Sequence, residues 1–140
     1  MRNYIFGFVL FTAGTTVGVL GWQMLSAQPT ASGYSTKMIL RADLEDMPGK
    51  EVLIFASEWA PGFKLPMHVH PSGHEFDYVV EGEQTFHYQG GAVKTVKVGE
   101  ALYNLPNVPH FGDNATDRLT KVIVFRIKDK AQPISVEVPK

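Results

Sequence analysis

The sequence after residue 36 predicts an all-β fold, a closed β-sandwich or jelly-roll barrel. Two observations carry that reading. Short runs rich in aliphatic, β-branched and aromatic residues recur between Gly, Pro, Asn and Asp turn signals. No stretch of ten or more positions keeps the 3.6-residue apolar period of a helix. Met38–Leu40 is a short apolar run, closed by the polar turn Asp43–Lys50 with Pro48-Gly49. Glu51–Trp59 has the enrichment of a strand and stops at Pro61-Gly62. Phe76–Glu81 and Gln84–Tyr88 flank Gly82-Glu83, which predicts a hairpin. Gly90-Gly91 then turns the chain into Ala92–Val98. Ala101–Leu105 and Leu119–Ile127 are further strands, and Ile134–Val138 adds an edge. About eight such strands close into a barrel.

The 140 residues are 44% hydrophobic and 19% charged, an ordinary globular balance for one domain. A net charge of −1 gives no electrostatic case for nucleic acid or an anionic membrane surface. With no cysteine, disulfides and thiolate ligands are excluded. Residues 1–27 read as a leader: Tyr4–Leu25 is uncharged and mostly apolar, behind Arg2. It is a secretory signal cut near Ala27 or, alternatively, an uncleaved anchor. The expected location is therefore exported, in the periplasm or tethered to the inner membrane facing it. Residues 28–36, rich in Pro, Ser, Thr and Gly, read as a linker, and 37–140 as the folded domain.

Chemistry concentrates in two windows, 62–82 and 99–114, which hold four of the five histidines. The first runs Gly62, five residues, His68-x-His70, four residues, Glu75, six residues, Gly82; the second places His110 eleven residues after Gly99. Residues i and i+2 of a strand share a face, so His68 and His70 can converge on one ion. Glu75 follows the turn Pro71-Ser72-Gly73, and His110 arrives from a separate strand. Three imidazoles and one carboxylate suit a divalent transition metal: iron, manganese, nickel, copper or zinc. Open coordination positions would separate a working centre from a structural one. A lone His-x-His is weak by itself; the acid, the distant histidine and the glycines strengthen it.

These windows resemble the two motifs of the cupin superfamily, G(X)5HXH(X)3–4E(X)6G and G(X)5PXG(X)2H(X)3N. The first is met at Gly62, His68, His70, Glu75 and Gly82. The second is met at Gly99, His110 and Asn114 but departs at Leu105, where proline is expected, and at Asn107, where glycine is expected. Asn tolerates positive φ better than most residues, so the turn can survive. The 16-residue spacer, DLEDMPGKEV at 43–52 and YVVEGE at 78–83 are similar to small single-domain bacterial cupins of the RmlC-like type. The resemblance implies a double-stranded β-helix, a metal held by His68, His70, Glu75 and His110, and homodimers.

His74 competes with Glu75, since a gap of three residues is also permitted. Alternation groups His74 with apolar Phe76 and Tyr78, arguing that His74 faces inward; the six-residue count to Gly82 favours Glu75. Trp59, Phe63, Met67, Phe86, Tyr103, Phe111 and Phe125 line a pocket or simply fill the core. Asp77, Glu81 and Glu83 read as a solvated strand face, and His87 as a surface or hydrogen-bonded residue.

The expected function is metal binding, with a dioxygenase-like enzyme of a small organic molecule as one form and Glu75 as catalytic base. A non-catalytic exported module for a metal or small ligand, and an isomerase, are the alternatives, because the fold alone does not choose.

Overall fold

The computed structural model describes residues 33–139, and the residues read as leader lie outside them. Ten strands follow in order: β1 Tyr34–Asp43, β2 Lys50–Trp59, β3 His68–Val69, β4 His74–Glu81, β5 Glu83–Tyr88, β6 Val93–Lys97, β7 Ala101–Asn104, β8 His110–Asp113, β9 Thr120–Asp129 and β10 Val136–Glu137. They form two antiparallel five-stranded sheets, β1-β2-β9-β4-β7 and β10-β3-β8-β5-β6. Facing sheets of this kind make a jelly-roll sandwich, as expected. Among the described residues, no helix is long and apolar enough to cross a membrane.

Alternation decides which side chains enter. In β2, Glu51, Leu53, Ser57 and Trp59 are buried while the residues between them are more open. In β9, Thr120, Val122, Val124 and Lys128 take the inner face. Val79, Phe86 and Val96 form a buried cluster with Tyr88 and Leu102 packed against it. Each large side chain so buried contributes roughly 1.5–3 kcal/mol. The buried Glu51 carboxylate accepts from Lys128 Nζ at 3.0 Å and from Arg41 Nε at 2.7 Å. Those two cations hold Glu51 below the ordinary carboxylate range against the opposing effect of its burial.

Three sequence expectations change. The Phe76–Glu81/Gln84–Tyr88 hairpin does not form, because β4 and β5 lie in different sheets and the chain crosses over at Gly82. Gly82 takes φ 76°, and a Cβ there would meet Leu119 O and Thr120 Oγ1 at 2.7 Å. β5 instead forms a hairpin with β6 around Gly90-Gly91. Next, β1 starts at Tyr34, upstream of Lys37, because the Tyr34 ring stacks on Phe63 and meets Trp59 edge-on. Finally, Tyr103 and Phe125 are exposed on the outer face rather than in the core or in a pocket above the histidines.

Candidate metal centre

His68 and His110 sit on the short strands β3 and β8 of the second sheet, and Glu75 on β4 of the first. Cross-strand register sets His68 opposite His110, and His110 opposite Tyr88. His70 follows at i+2 on the same face and is also buried. The loop before β8 folds over this turn: Asn107 N donates to His70 O at 3.1 Å, and Ser72 N donates to Asn107 Oδ1 at 3.3 Å. Asn107 has φ 60°, so it takes the left-handed conformation expected of the glycine it replaces. His68, His70 and His110 each offer one ring nitrogen, and these atoms lie within 4.8 Å of one another.

Their protonation pattern follows from their partners. Nδ1 of His68 lies 2.8 Å from Pro66 O, Nδ1 of His70 2.7 Å from Ile134 O, and Nδ1 of His110 2.8 Å from Val108 O. A carbonyl oxygen only accepts, so each Nδ1 carries a proton, and each ring can ligate a metal only through Nε2. Nε2 of His70 and His110 are buried without a hydrogen-bond partner. Yet His70 Nε2 is 3.0 Å from Glu75 Oε2, and His110 Nε2 is 3.5 Å from Glu75 Oε1. A lone pair that close to a carboxylate oxygen is repulsive unless a proton or a metal ion stands between them. The donor set therefore fits a divalent transition metal, and His68, His70 and His110 are placed to hold one.

Glu75 takes its place from register. Its cross-strand neighbours are Asn104 on β7 and Arg126 on β9. Asn104 Nδ2 donates to Oε1 at 3.1 Å, and Arg126 Nε donates to Oε2 at 2.6 Å, joined by Arg126 Nη2. Burial would raise the Glu75 carboxyl, but the Arg126 guanidinium holds it well below the usual range. Asp77 lies two residues on, equally buried, and Asn104 Nδ2 also reaches its Oδ2 at 3.2 Å. Its own burial and then the Glu75 charge push Asp77 well above the ordinary range, so it is the neutral member of the pair. Burial, then the neighbouring carboxyl groups of Asp77 and Glu75, push the Tyr88 hydroxyl up to about 12, and it donates to Asn104 Oδ1 at 2.5 Å.

Between Glu75 and His74, alternation runs the other way from the sequence reading and turns Glu75 toward the histidines. Along β4, Glu75, Asp77 and Val79 are buried while His74, Phe76 and Tyr78 are exposed. The polar set faces inward because the site is inside, and the apolar set faces out. His74 Nδ1 pairs with Tyr103 Oη at 2.6 Å, and its ring stacks on that phenol, away from the centre. Asp77 thus corrects the solvated-face reading, which holds for the exposed Glu81. His87 is hydrogen-bonded as expected, to Asp113 Oδ2 at 3.1 Å. Asn114 is fully buried and structural, donating to the carbonyls of Trp59, Ala60 and Arg118.

Burial, reinforced by the neighbouring imidazoles His70 and His110, lowers His68 from 6.5 to about 4. The unfolded chain therefore takes up this proton first as pH falls. Its contribution to stability is full above pH 6.5 and is lost through about pH 4. We expect the metal-free protein to lose on the order of 3 kcal/mol from this residue across that window. Denaturant titrations at stepped pH, compared with His68→Asn, isolate it from Asp77, whose raised pKa acts in the opposite sense. An unchanged pH profile in the variant would refute the assignment.

A chamber of about 30 Å³ is lined by His68, His110, Glu75, Asp77, Gln84 and Arg126, among others. It meets a cavity of about 400 Å³, and the two share Tyr34, Ser57, Leu65, His68, Val124 and Arg126. Of the aromatic residues expected at a pocket, Trp59 and Phe86 line the chamber. Asp77, Gln84, Asn104 and Arg126 were not legible as site residues in the sequence, since no spacing motif contains them all.

Comparison with known proteins agrees with this geometry. No curated protein sequence matches the chain. Among solved structures, an uncharacterized conserved protein with a double-stranded β-helix domain from Klebsiella pneumoniae has a TM-score of 0.62 at 20% identity, covering 81% of this chain and 90% of that one. A DMSP lyase from Ruegeria pomeroyi has a TM-score of 0.59 at 18% identity, over 75% and 51%. An oxalate oxidase in complex with glycolate has a TM-score of 0.58 at 23% identity, over 79% and 57%. At these identities the likeness establishes the fold. The cupin domain family itself matches residues 55–126, more than half of the sequence. With the histidine cluster and the two-sheet barrel, that match makes this chain a member of the cupin family.

Proposed function

We propose that the protein is a metal-dependent, dioxygenase-like enzyme of a small organic molecule, with His68, His70, His110 and Glu75 as its metal ligands. The observation that carries this is the set of Nε2 lone pairs, fixed by backbone carbonyls and gathered beside an ionised carboxylate under an open cavity. The metal would act as Lewis acid and template, and a redox-active ion would add electron transfer to oxygen. Asn104 and Arg126 orient Glu75 and keep it charged. A carboxylate so strongly ionised has little drive to take a proton, so Glu75 serves better as ligand than as the expected base. Asp77, neutral and next to it, is the group that can hold a proton there. Phe55, Leu65, Val124 and Ile134 line the cavity and exclude water from a bound molecule. An oxalate oxidase and a DMSP lyase among the similar folds are consistent with small-molecule chemistry.

Oxygen uptake by iron-, manganese- or nickel-loaded protein, screened against small hydroxy-acid, diketone and phenolic substrates, tests the proposal. Turnover abolished by His110→Ala is expected. A fully loaded protein that consumes no oxygen but isomerises or merely binds these compounds would replace it with an isomerase or a binding module.

We also propose that a second copy covers the outer face of the first sheet. Register aligns Leu40, Ile54, Phe125, Phe76 and Tyr103 in one row across all five strands, and four of them are exposed large apolar side chains. Such a continuous apolar face on an antiparallel sheet is more than scattered surface hydrophobes. Light scattering is expected to give a dimer that Phe76→Glu/Phe125→Glu converts to monomer. A monomeric wild type at micromolar concentration would sink the idea.

A further inference from the structure

Arg126 has more hydrogen-bonding capacity than Glu75 uses. A guanidinium carries five N–H donors in a rigid plane. Glu75 occupies only the edge made by Nε and Nη2. Glu75 does not use the Nη1 side of the fork, and the Arg126 side chain is 17% exposed. That exposure is into the cavity, because Arg126 lines both the inner chamber and the 400 Å³ space beyond it. Its Cζ lies 5.7 Å from the Phe55 ring centroid, another cavity wall, which holds the plane in place.

The remaining walls divide simply. Phe55, Leu65, Pro66, Val124 and Ile134 are apolar, and Thr36, Ser57 and Ser135 carry neutral hydroxyls. The other charged residue, Glu137, is exposed at the rim, where water screens it. The cavity therefore has one fixed cation at its deep end, beside His68, and apolar walls leading to it. We infer that the ligand of this site is an organic carboxylate, with its carboxylate on the uncommitted edge of Arg126 and its apolar body in the outer cavity. A planar anion matches a planar donor edge, and a ligand reaching Arg126 lies at the mouth of the histidine chamber. Arg126 thereby selects the substrate as well as holding Glu75. The inference rests on the proposed function for what happens to the ligand, but not for its binding.

The test uses phenylacetate and its neutral isostere phenylacetamide, titrated calorimetrically into wild type and Arg126→Lys, each metal-free and zinc-loaded. Wild type is expected to bind the acid at least tenfold more tightly than the amide in both metal states, the worth of one charge-assisted hydrogen bond. Arg126→Lys keeps a cation for Glu75 but loses the fork, and is expected to lose most of that preference. Circular dichroism and zinc stoichiometry check that the variant is folded. Equal binding of acid and amide by wild type, no binding of either, or an acid preference untouched in folded Arg126→Lys would each overturn the inference. Should Arg126→Lys not fold, the wild-type acid-to-amide ratio in the metal-free state decides alone. Failure to take up zinc would count against the metal centre, and the metal-free titration would then decide the role of Arg126.

Discussion

Purified without chelators or an affinity tag, the protein should carry about one equivalent of a transition metal, and His110→Ala should carry none. The three histidines are pre-set: each Nδ1 is tied to a carbonyl, and each Nε2 is left free. Loss of an outer hydrogen bond to a ligand already costs roughly 10–100-fold in metal affinity, and loss of the ligand itself should cost more. His110 is the choice for substitution because it pairs with both His68 and Tyr88 in register and is 1% exposed. Inductively coupled plasma analysis gives the stoichiometry, and melting curves with and without added metal show whether occupancy relieves the facing lone pairs and carboxylate. A folded wild type that stays metal-free after reconstitution would refute the centre.

The second large effect is on folding. Gly82→Ala should destabilise the barrel by about 3 kcal/mol, near the upper end for one methyl group. Two penalties combine. The residue sits at φ 76°, where a side chain is strained. The new Cβ would also lie 2.7 Å from the backbone oxygen of Leu119, which cannot rotate away, and 2.7 Å from Thr120 Oγ1. That hydroxyl donates to Glu83 O at 2.7 Å and pins the crossover from β4 to β5. Gly99→Ala is the control: it has a similar φ of 83° but nothing within 4 Å of a new Cβ. Urea unfolding should rank Gly82→Ala well below Gly99→Ala, and equal midpoints would refute the steric account.

The elements that sequence made legible were those governed by local pattern. The strand runs, the His-x-His pair and the left-handed Asn107 depend on neighbours in the chain, and the structure has each of them. What escaped depends on register between distant strands. Arg126 and Asn104 flank Glu75 because β9 and β7 pair with β4, and nothing near residues 104 or 126 announces it. The facing of β4 was ambiguous for a physical reason. Burying apolar groups usually decides which face turns in, but here the interior is a polar centre, so the apolar face of His74, Phe76 and Tyr78 turns out. The expected hairpin failed because Gly82 carries the chain from one sheet to the other instead of folding it back.

The carbonyls that fix the three histidines belong to Pro66, Val108 and Ile134, and any residue supplies the same oxygen. The restraint on each imidazole is thus silent in the amino-acid code: that hydrogen bond depends on where the backbone runs and not on the side chain attached to it. Two of the three come from the residue two positions before the histidine itself. The third reaches His70 from the last stretch of the described chain, making the C-terminal tail a strap across the centre. Drift in that tail would be heard at the metal even though it contributes no ligand.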